Sequence, residues 1–92
     1  MIKWIYKPEG ACPVQAEGYF RNNYFYFRSR HNASTIEFCE SKTHWTKGLH
    51  LKYYVVAKTK KPYEAGWFSH FHCKLLIFKG CIMYLLNFKS NY

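Results

Sequence analysis

Residues 41–61 carry many cations and no acidic residue, which gives this segment a distinct chemistry. Its lysines are Lys42, Lys47, Lys52, Lys58, Lys60 and Lys61. The aromatic residues Trp45, Tyr53 and Tyr54 are interleaved with these lysines. Flexible ammonium groups beside aromatic rings are typical of surfaces that contact nucleic-acid phosphates without reading the base sequence. A solvated charged face is the alternative interpretation. The lack of compensating acids favours phosphate contact.

A second group of candidate residues lies in the preceding segment, which is rich in tyrosine and arginine. If residues 24–30 form a strand, Tyr24, Tyr26, Arg28 and Arg30 share one face of it. Aromatic rings beside guanidinium groups on an exposed sheet can stack unpaired bases and hold their phosphates. Ordinary cross-strand pairing is the alternative, in which Arg28 is neutralised by two glutamates. Arg30 has no acid opposite it and is the better phosphate ligand.

Patterns typical of metal sites and enzymes are sparse in this sequence. His70, His72 and Cys73 are close in sequence, but no cysteine pair has the spacing of a structural zinc site. We therefore expect no metal and no cofactor, and no catalytic residues. A metal-independent ribonuclease is the enzymatic alternative, because histidine, lysine, arginine and tyrosine suffice for phosphodiester cleavage. Its candidate residues are His31, His44, His50, Arg30 and Tyr54.

Length and composition limit the class of protein. The chain has 92 residues, 49% of them hydrophobic, so we expect residues 1–92 to form a single domain. The apolar run 75–86 is too short for a membrane span, and the N-terminal residues lack the pattern of a signal peptide. Lysine and arginine number 14 against five acids, and the net charge of +9 favours a polyanionic partner. Without a secretory signal, the four cysteines are expected to be reduced and buried.

Short runs of strand-forming residues separated by turn residues predict strands over the first two thirds of the chain. The predicted strands are 2–7, 13–20, 24–30, 34–40 and 49–58, with a loop at 41–48. A two-residue turn at 22–23 places Phe20 opposite Phe25, and a four-residue loop at 31–34 starts the next strand. The sheet then has an inner phenylalanine face and an outer face. The outer face is predicted to carry a charge ladder of Glu17, Arg28 and Glu37.

From residue 69 onward the apolar residues follow helical spacing. They recur every three or four residues, which predicts a helix from 69 to 88 with Ser69 as its N-cap. Two strands, 75–78 and 81–86, joined by a turn are the alternative for this segment. The predicted apolar stripe is Phe71, Leu75, Phe78, Ile82 and Leu85. Such a helix either packs deeply on the sheet or leaves an apolar flank for a protein partner.

The predicted fold class is α+β, with a small antiparallel sheet of four to five strands packed against one C-terminal helix. Its predicted core consists of Phe20, Phe25, Phe27, Ile36, Phe38, Leu75, Phe78 and Ile82.

Three segments of the chain resemble a pattern in small phage-encoded proteins. They are Cys12-Pro13-Val14-Gln15-Ala16-Glu17-Gly18, Tyr24-Phe25-Tyr26-Phe27-Arg28-Ser29-Arg30 and Ala65-Gly66-Trp67. The resemblance implies that the first two segments form a hairpin and that the third opens a C-terminal helix. In size and organisation the chain also resembles anti-CRISPR proteins that inhibit type I-F surveillance complexes.

This resemblance implies a non-enzymatic inhibitor that acts in the host cytoplasm. It would dock on the Cas subunits and guide RNA of a host Cas ribonucleoprotein complex and block target DNA recognition. A chain with a net charge of +9 cannot mimic DNA, so we expect contact with guide RNA or with an acidic Cas surface. The alternatives are the ribonuclease and a phage protein that binds a host enzyme without touching nucleic acid. The residues expected to bind the partner are Arg30, Lys42, Lys47, Lys52, Lys58, Lys60, Lys61, Tyr24, Tyr26, Trp45 and Tyr54.

Overall fold

Five strands pair with one another in the order in which they follow along the chain. The structure is a computed structural model that describes residues 2–11, 13–48, 52–61, 65 and 68–86. The elements are β1 (Ile2–Glu9), β2 (Val14–Phe20), β3 (Asn23–Arg30), β4 (Ala33–Cys39), α1 (Lys42–Thr46), β5 (Lys52–Lys58) and α2 (His70–Leu85). The sheet is antiparallel with the order β1-β2-β3-β4-β5, and α2 follows it. The predicted α+β fold is confirmed, and residues 75–85 form a helix instead of two strands.

The β2–β3 hairpin turns one residue earlier than predicted. Arg21 and Asn22 occupy the turn with φ angles of 51° and 67°, and the Asn23 side chain donates a hydrogen bond to the Arg21 carbonyl oxygen. Asn23 therefore begins β3, and Phe25 lies opposite Gly18 instead of Phe20. The predicted pairs are wrong by two residues. A shift of two leaves each side chain on its predicted face, because side chains alternate along a strand.

The β3–β4 hairpin has a two-residue turn in place of the predicted four-residue loop. His31 and Asn32 form the turn, and His31 has a left-handed φ of 57°. Arg28 therefore lies between Gln15 and Thr35 in the sheet. The predicted charge ladder is wrong, because neither neighbour directly opposite Arg28 is acidic.

The inner face of the sheet is covered by α2. Ser69 caps the helix as predicted, and its side chain accepts a hydrogen bond from the His72 backbone amide. The helix residues that are buried are Cys73, Leu76, Ile77, Gly80 and Cys81. At Gly80 the helix comes so close to the sheet that a Cβ atom would lie 2.6 Å from Ile36 Cγ2. Small side chains on α2 therefore set the distance between helix and sheet.

The helical part of the predicted core is wrong. Leu75, Phe78 and Ile82 are 50%, 47% and 57% exposed, because the helix packs through its opposite face and turns this stripe outward. The predictions for the sheet hold better. Phe25, Phe27, Ile36 and Phe38 are fully buried or nearly so, and Phe20 is partly buried against them.

Two segment boundaries also differ from the prediction. Lys42–Thr46 forms a short helix in the segment 41–48 predicted to be a loop, because the Ser41 hydroxyl accepts a hydrogen bond from the His44 backbone amide and caps it. Strand β1 continues through Pro8 to Glu9. An edge strand tolerates a proline because one side of its backbone needs no ladder partner. Residues 49–51 and 87–88, which fall in the predicted last strand and helix, lie outside the described residues.

Three of the four cysteines lie in the described part of the chain. Cys39, Cys73 and Cys81 are buried and form no disulfide bond within the described residues, and Cys12 lies outside them. Burial raises the pKa of Cys73 to about 11 and that of Cys81 to about 12. Both thiols are therefore protonated and poorly nucleophilic near neutral pH.

Candidate nucleic-acid interface

The outer face of the sheet, opposite α2, is divided into a covered half and an open half. The helix α1 covers the half around the start of β3. The Trp45 ring lies 5.5 Å from the ring of Tyr24 and 4.9 Å from that of Tyr26. Tyr24 is fully buried and Tyr26 half-buried. Tyr24 therefore cannot stack a base as predicted, because α1 folds back onto the strand that carries it.

Glu17, on β2, connects α1 to the sheet. Its Oε1 atom accepts a hydrogen bond of 2.5 Å from the Tyr24 hydroxyl and lies 3.0 Å from Lys42 Nζ. Burial raises the pKa of Glu17, but hydrogen bonds from Tyr24, Lys42 and Tyr6 outweigh burial and lower it overall. The carboxylate is therefore ionised at neutral pH and neutralises Lys42. This lysine joins α1 to the sheet, and its charge is partly neutralised by Glu17 within the protein.

The open half of the outer face is concave. A depression of about 310 Å³ lies on the last residues of β3, the β3–β4 turn and the facing part of β5. Its lining residues are Arg28, Arg30, His31, Asn32, Ala33, Thr35, Glu37 and Tyr53. Arg28, Arg30 and His31 are exposed, and Tyr53 is half-buried. The surface thus combines two guanidinium groups, an imidazole, the Glu37 carboxylate and an aromatic ring around one hollow.

Three lysines adjoin this depression because the chain returns to it after β5. Lys58 lies opposite Ala33, which lies opposite Arg30, so the two cations flank a small residue in one row across the sheet. The Thr59 backbone amide then donates a 2.8 Å hydrogen bond to the Asn32 carbonyl oxygen, which places the following residues beside the β3–β4 turn. Those residues are Lys60 and Lys61, and both are exposed.

We name this surface the basic end and define it as Arg28, Arg30, His31, Lys58, Lys60 and Lys61. A buried set of hydrogen bonds supports it from the inner side. The Ser29 hydroxyl is hydrogen-bonded to the Ser34 hydroxyl and donates to the Ala65 carbonyl oxygen. The Ala65 backbone amide in turn donates to the His31 carbonyl oxygen at 2.9 Å. The turn that carries the basic end is therefore tied to the body of the protein.

The other predicted binding residues do not lie at the basic end. Lys52 begins β5 and Lys58 ends it, so the two are about 20 Å apart at the usual rise of a strand. Lys47 follows α1, and Lys52 lies opposite Phe38 at the end of the sheet that is farther from the β3–β4 turn. Tyr54 faces inward and is fully buried. The predicted single basic surface over 41–61 is therefore wrong, because β5 separates its lysines into two groups.

Sequence reasoning missed three residues of this site, and two of them had a detectable signal. Arg28 shares a strand face with Arg30, but the incorrect register assigned it to a charge ladder. Tyr53 was noted only as part of the lysine-rich segment, and its place at the depression depends on the pairing of β5 with β4, in which Tyr53 lies opposite Glu37. His31 was included only among the ribonuclease candidates, and its place in the turn follows from a two-residue hairpin.

The ribonuclease candidates are not brought together by the fold. His31 and Arg30 lie at the basic end, whereas His44 lies in α1, where its Nδ1 atom is 2.7 Å from the Ser41 hydroxyl. Tyr54 is in the core, and His50 lies outside the described residues. Among residues 2–11, 13–48, 52–61, 65 and 68–86, no three His, Cys, Asp or Glu side chains are grouped so that they could hold a metal ion.

No protein-family model, curated protein or solved structure matches this chain. Within the described residues, no helix has the length and apolar character needed to cross a membrane.

Proposed function

We propose that this protein is a non-enzymatic inhibitor that binds the RNA of a ribonucleoprotein complex through the basic end. The observation that carries the proposal is a concave surface lined by Arg28 and Arg30, with Lys58 in the same row of the sheet and Lys60 and Lys61 following it beside the β3–β4 turn. Cations held together in this way neutralise neighbouring phosphates of one RNA strand. Tyr53, at the edge of the same hollow, offers a ring on which an unpaired base can stack.

The resemblance to phage-encoded inhibitors supports a specific target for this surface. We propose that the target is the type I-F surveillance complex, with the guide RNA backbone or an acidic Cas surface as the polyanion, in the host cytoplasm. A protein bound there would cover part of the surface that carries the guide RNA and would thereby block recognition of target DNA. The net charge of +9 supports RNA contact over DNA mimicry.

The decisive experiment compares two double variants that lose the same charge. Arg28→Gln with Arg30→Gln removes two cations from the basic end, and Lys47→Gln with Lys52→Gln removes two from the opposite end of the sheet. Binding of each protein to a labelled single-stranded RNA and to the purified surveillance complex is measured by fluorescence anisotropy over a series of salt concentrations. All four positions are exposed or half-buried, and melting curves verify that each variant is folded.

The proposal gives numerical expectations for this comparison. Five engaged cations predict that log K falls with log salt with a slope of about −3.5, and removing two of them reduces its magnitude by about 1.4. The arginine variant should bind at least tenfold more weakly and no longer block target DNA binding. The lysine variant should behave like the unmodified protein. Equal losses in both variants would mean that diffuse charge, and not the basic end, binds the RNA. RNA cleavage by the pure protein in a chelator would instead support the ribonuclease.

A further inference from the structure

Helix α2 carries a second apolar face that the sheet does not cover. We name Phe71, Leu75, Phe78, Ile82 and Leu85 the outer stripe. Its members are between 47% and 70% exposed. At 100° per residue, the middle of the outer stripe lies about 150° around the helix from the buried face. Contiguous apolar surfaces of this kind are uncommon on proteins that act alone and mark sites of interaction.

The spacing of the outer stripe indicates the shape of what covers it. Its residues follow one another at intervals of four, three, four and three, which is the heptad pattern of a helix that packs along another helix. The stripe alternates positions a and d over two heptads, with Leu75 and Ile82 at a and Phe78 and Leu85 at d. A helix with apolar residues on two opposite faces normally buries both of them. The pattern therefore points to a partner helix lying along α2.

The charges beside the outer stripe select the kind of partner. Lys74 and Lys79 flank the stripe on its two sides, and the 16 residues of α2 include no acid. Lys79 is held in place, because its ammonium group donates a 2.8 Å hydrogen bond to the Val56 carbonyl oxygen. A second copy of this helix would bring lysines against lysines without an acid between them. A helix with acidic flanks would instead pair with them.

We infer that the outer stripe binds an amphipathic α-helix of another protein, in which apolar side chains at positions a and d are flanked by Asp or Glu. Because α2 lies on the inner face of the sheet, the stripe points away from the sheet and from the basic end on the outer face. The two surfaces can thus be occupied at the same time. This inference does not depend on the proposed function, and substitutions in one surface leave the other intact.

The test uses three synthetic peptides with the full-length protein. The first is a helical peptide with Leu at a and d and Glu at e and g. The second has Lys in place of Glu. The third has the composition of the first in a scrambled order that forms no apolar stripe, and it controls for simple attraction to a cationic protein. Binding is measured by isothermal titration calorimetry at low and moderate salt.

The inference predicts that the Glu peptide binds, that the Lys and scrambled peptides bind at least tenfold more weakly, and that salt weakens the complex. Leu75→Ser with Ile82→Ser should abolish binding of the Glu peptide while circular dichroism and melting stay unchanged. Arg28→Gln with Arg30→Gln should not affect it. Lack of binding by the Glu peptide, or equal binding by the scrambled or Lys peptide, would overturn the inference. Sedimentation that shows a dimer of the unmodified protein and a monomer of the Leu75→Ser, Ile82→Ser variant would also overturn the inference, since a second copy would then cover the stripe.

Discussion

Replacing Phe27 and Phe78 separately by alanine tests where the core of this protein lies. Both phenylalanines belong to the core predicted from the sequence, and both substitutions remove the same atoms. In the structure, Phe27 is fully buried beneath the sheet's inner face, whereas Phe78 is 47% exposed on α2. The two variants are therefore a pair that lose the same atoms and differ in the burial of the ring and in the element that carries it.

The two substitutions should differ several-fold in their effect on stability. Removing the fully buried Phe27 ring loses its burial and leaves a cavity, at a cost of about 3–5 kcal/mol in the free energy of unfolding. For a domain of this size, that cost lowers Tm by roughly 12–40 °C. Removing the half-exposed Phe78 ring loses much less burial, and alanine partly offsets the loss because it is the better helix former. The expected change for Phe78→Ala is within about 1 kcal/mol.

Urea unfolding monitored by circular dichroism measures both free energies of unfolding, and calorimetry gives Tm independently. Equal slopes against urea are needed for the comparison, since a changed slope would indicate a different unfolded state. A Phe78→Ala variant as unstable as Phe27→Ala would refute the reasoning, because the outer stripe would then be part of the core. A Phe27→Ala variant with an unchanged melting curve would refute the assignment of the inner face.

Three further predictions follow from contacts within the fold. Gly80→Ala should lower the free energy of unfolding by about 1–3 kcal/mol, because its Cβ would meet Ile36 at 2.6 Å, and denaturant unfolding would show no change if the helix can simply move away. The fold lowers the pKa of Glu17, so the ionised carboxylate stabilises the protein at pH values above about 4.3, the pKa of glutamate in the unfolded chain. This stabilisation is lost as the pH falls, and the difference in stability between the unmodified protein and Glu17→Gln should therefore shrink from pH 7 to pH 3. A difference that does not depend on pH would contradict this prediction. Cys73 and Cys81 should react with a thiol reagent at pH 8 only after unfolding, and peptide mass spectrometry that finds either one labelled in the folded protein would disprove their burial.

The assignment of side chains to the two faces of the sheet was predictable from sequence, whereas the pairing of residues was not. Side chains alternate along β3, so Phe25 and Phe27 face inward for any error in register of an even number of residues. The register depends on which residues form the turn. Arg21 adopts a positive φ there, which few non-glycine residues do, and asparagine at 22 and 23 suggested a turn one residue later.

Which face of α2 packs against the sheet was not predictable from the sequence, because the helix has two apolar faces. The outer stripe suggested a core, but the opposite face, on which Gly80 and Cys81 lie beside Leu76 and Ile77, packs against the sheet. Close packing favours Gly80 and Cys81 because the helix axis can then approach the sheet. Hydrophobicity alone does not distinguish a large exposed stripe from a small buried one, and only the space available beside Ile36 does.

The basic end was half predictable for a similar reason. Arg30, Lys58, Lys60 and Lys61 were predicted, but their grouping depends on a strand that returns the chain to the β3–β4 turn. The same strand carries Lys52 away from them. The order of the cations in the sequence does not show that Lys52 lies far from the other lysines. This distance follows from the antiparallel pairing of β4 with β5.

The sequential order of the strands has a consequence for how the chain reaches this structure. Each strand pairs with its neighbour in the chain, so the sheet can grow by successive antiparallel pairings between segments that are close in sequence. The helix that shields the phenylalanine-rich side comes after all five strands in the chain. During synthesis, a nearly complete sheet therefore exposes Phe25, Phe27 and Phe38 until α2 has left the ribosome. A newly made chain is most prone to aggregate in this interval, and chaperones would act on it then.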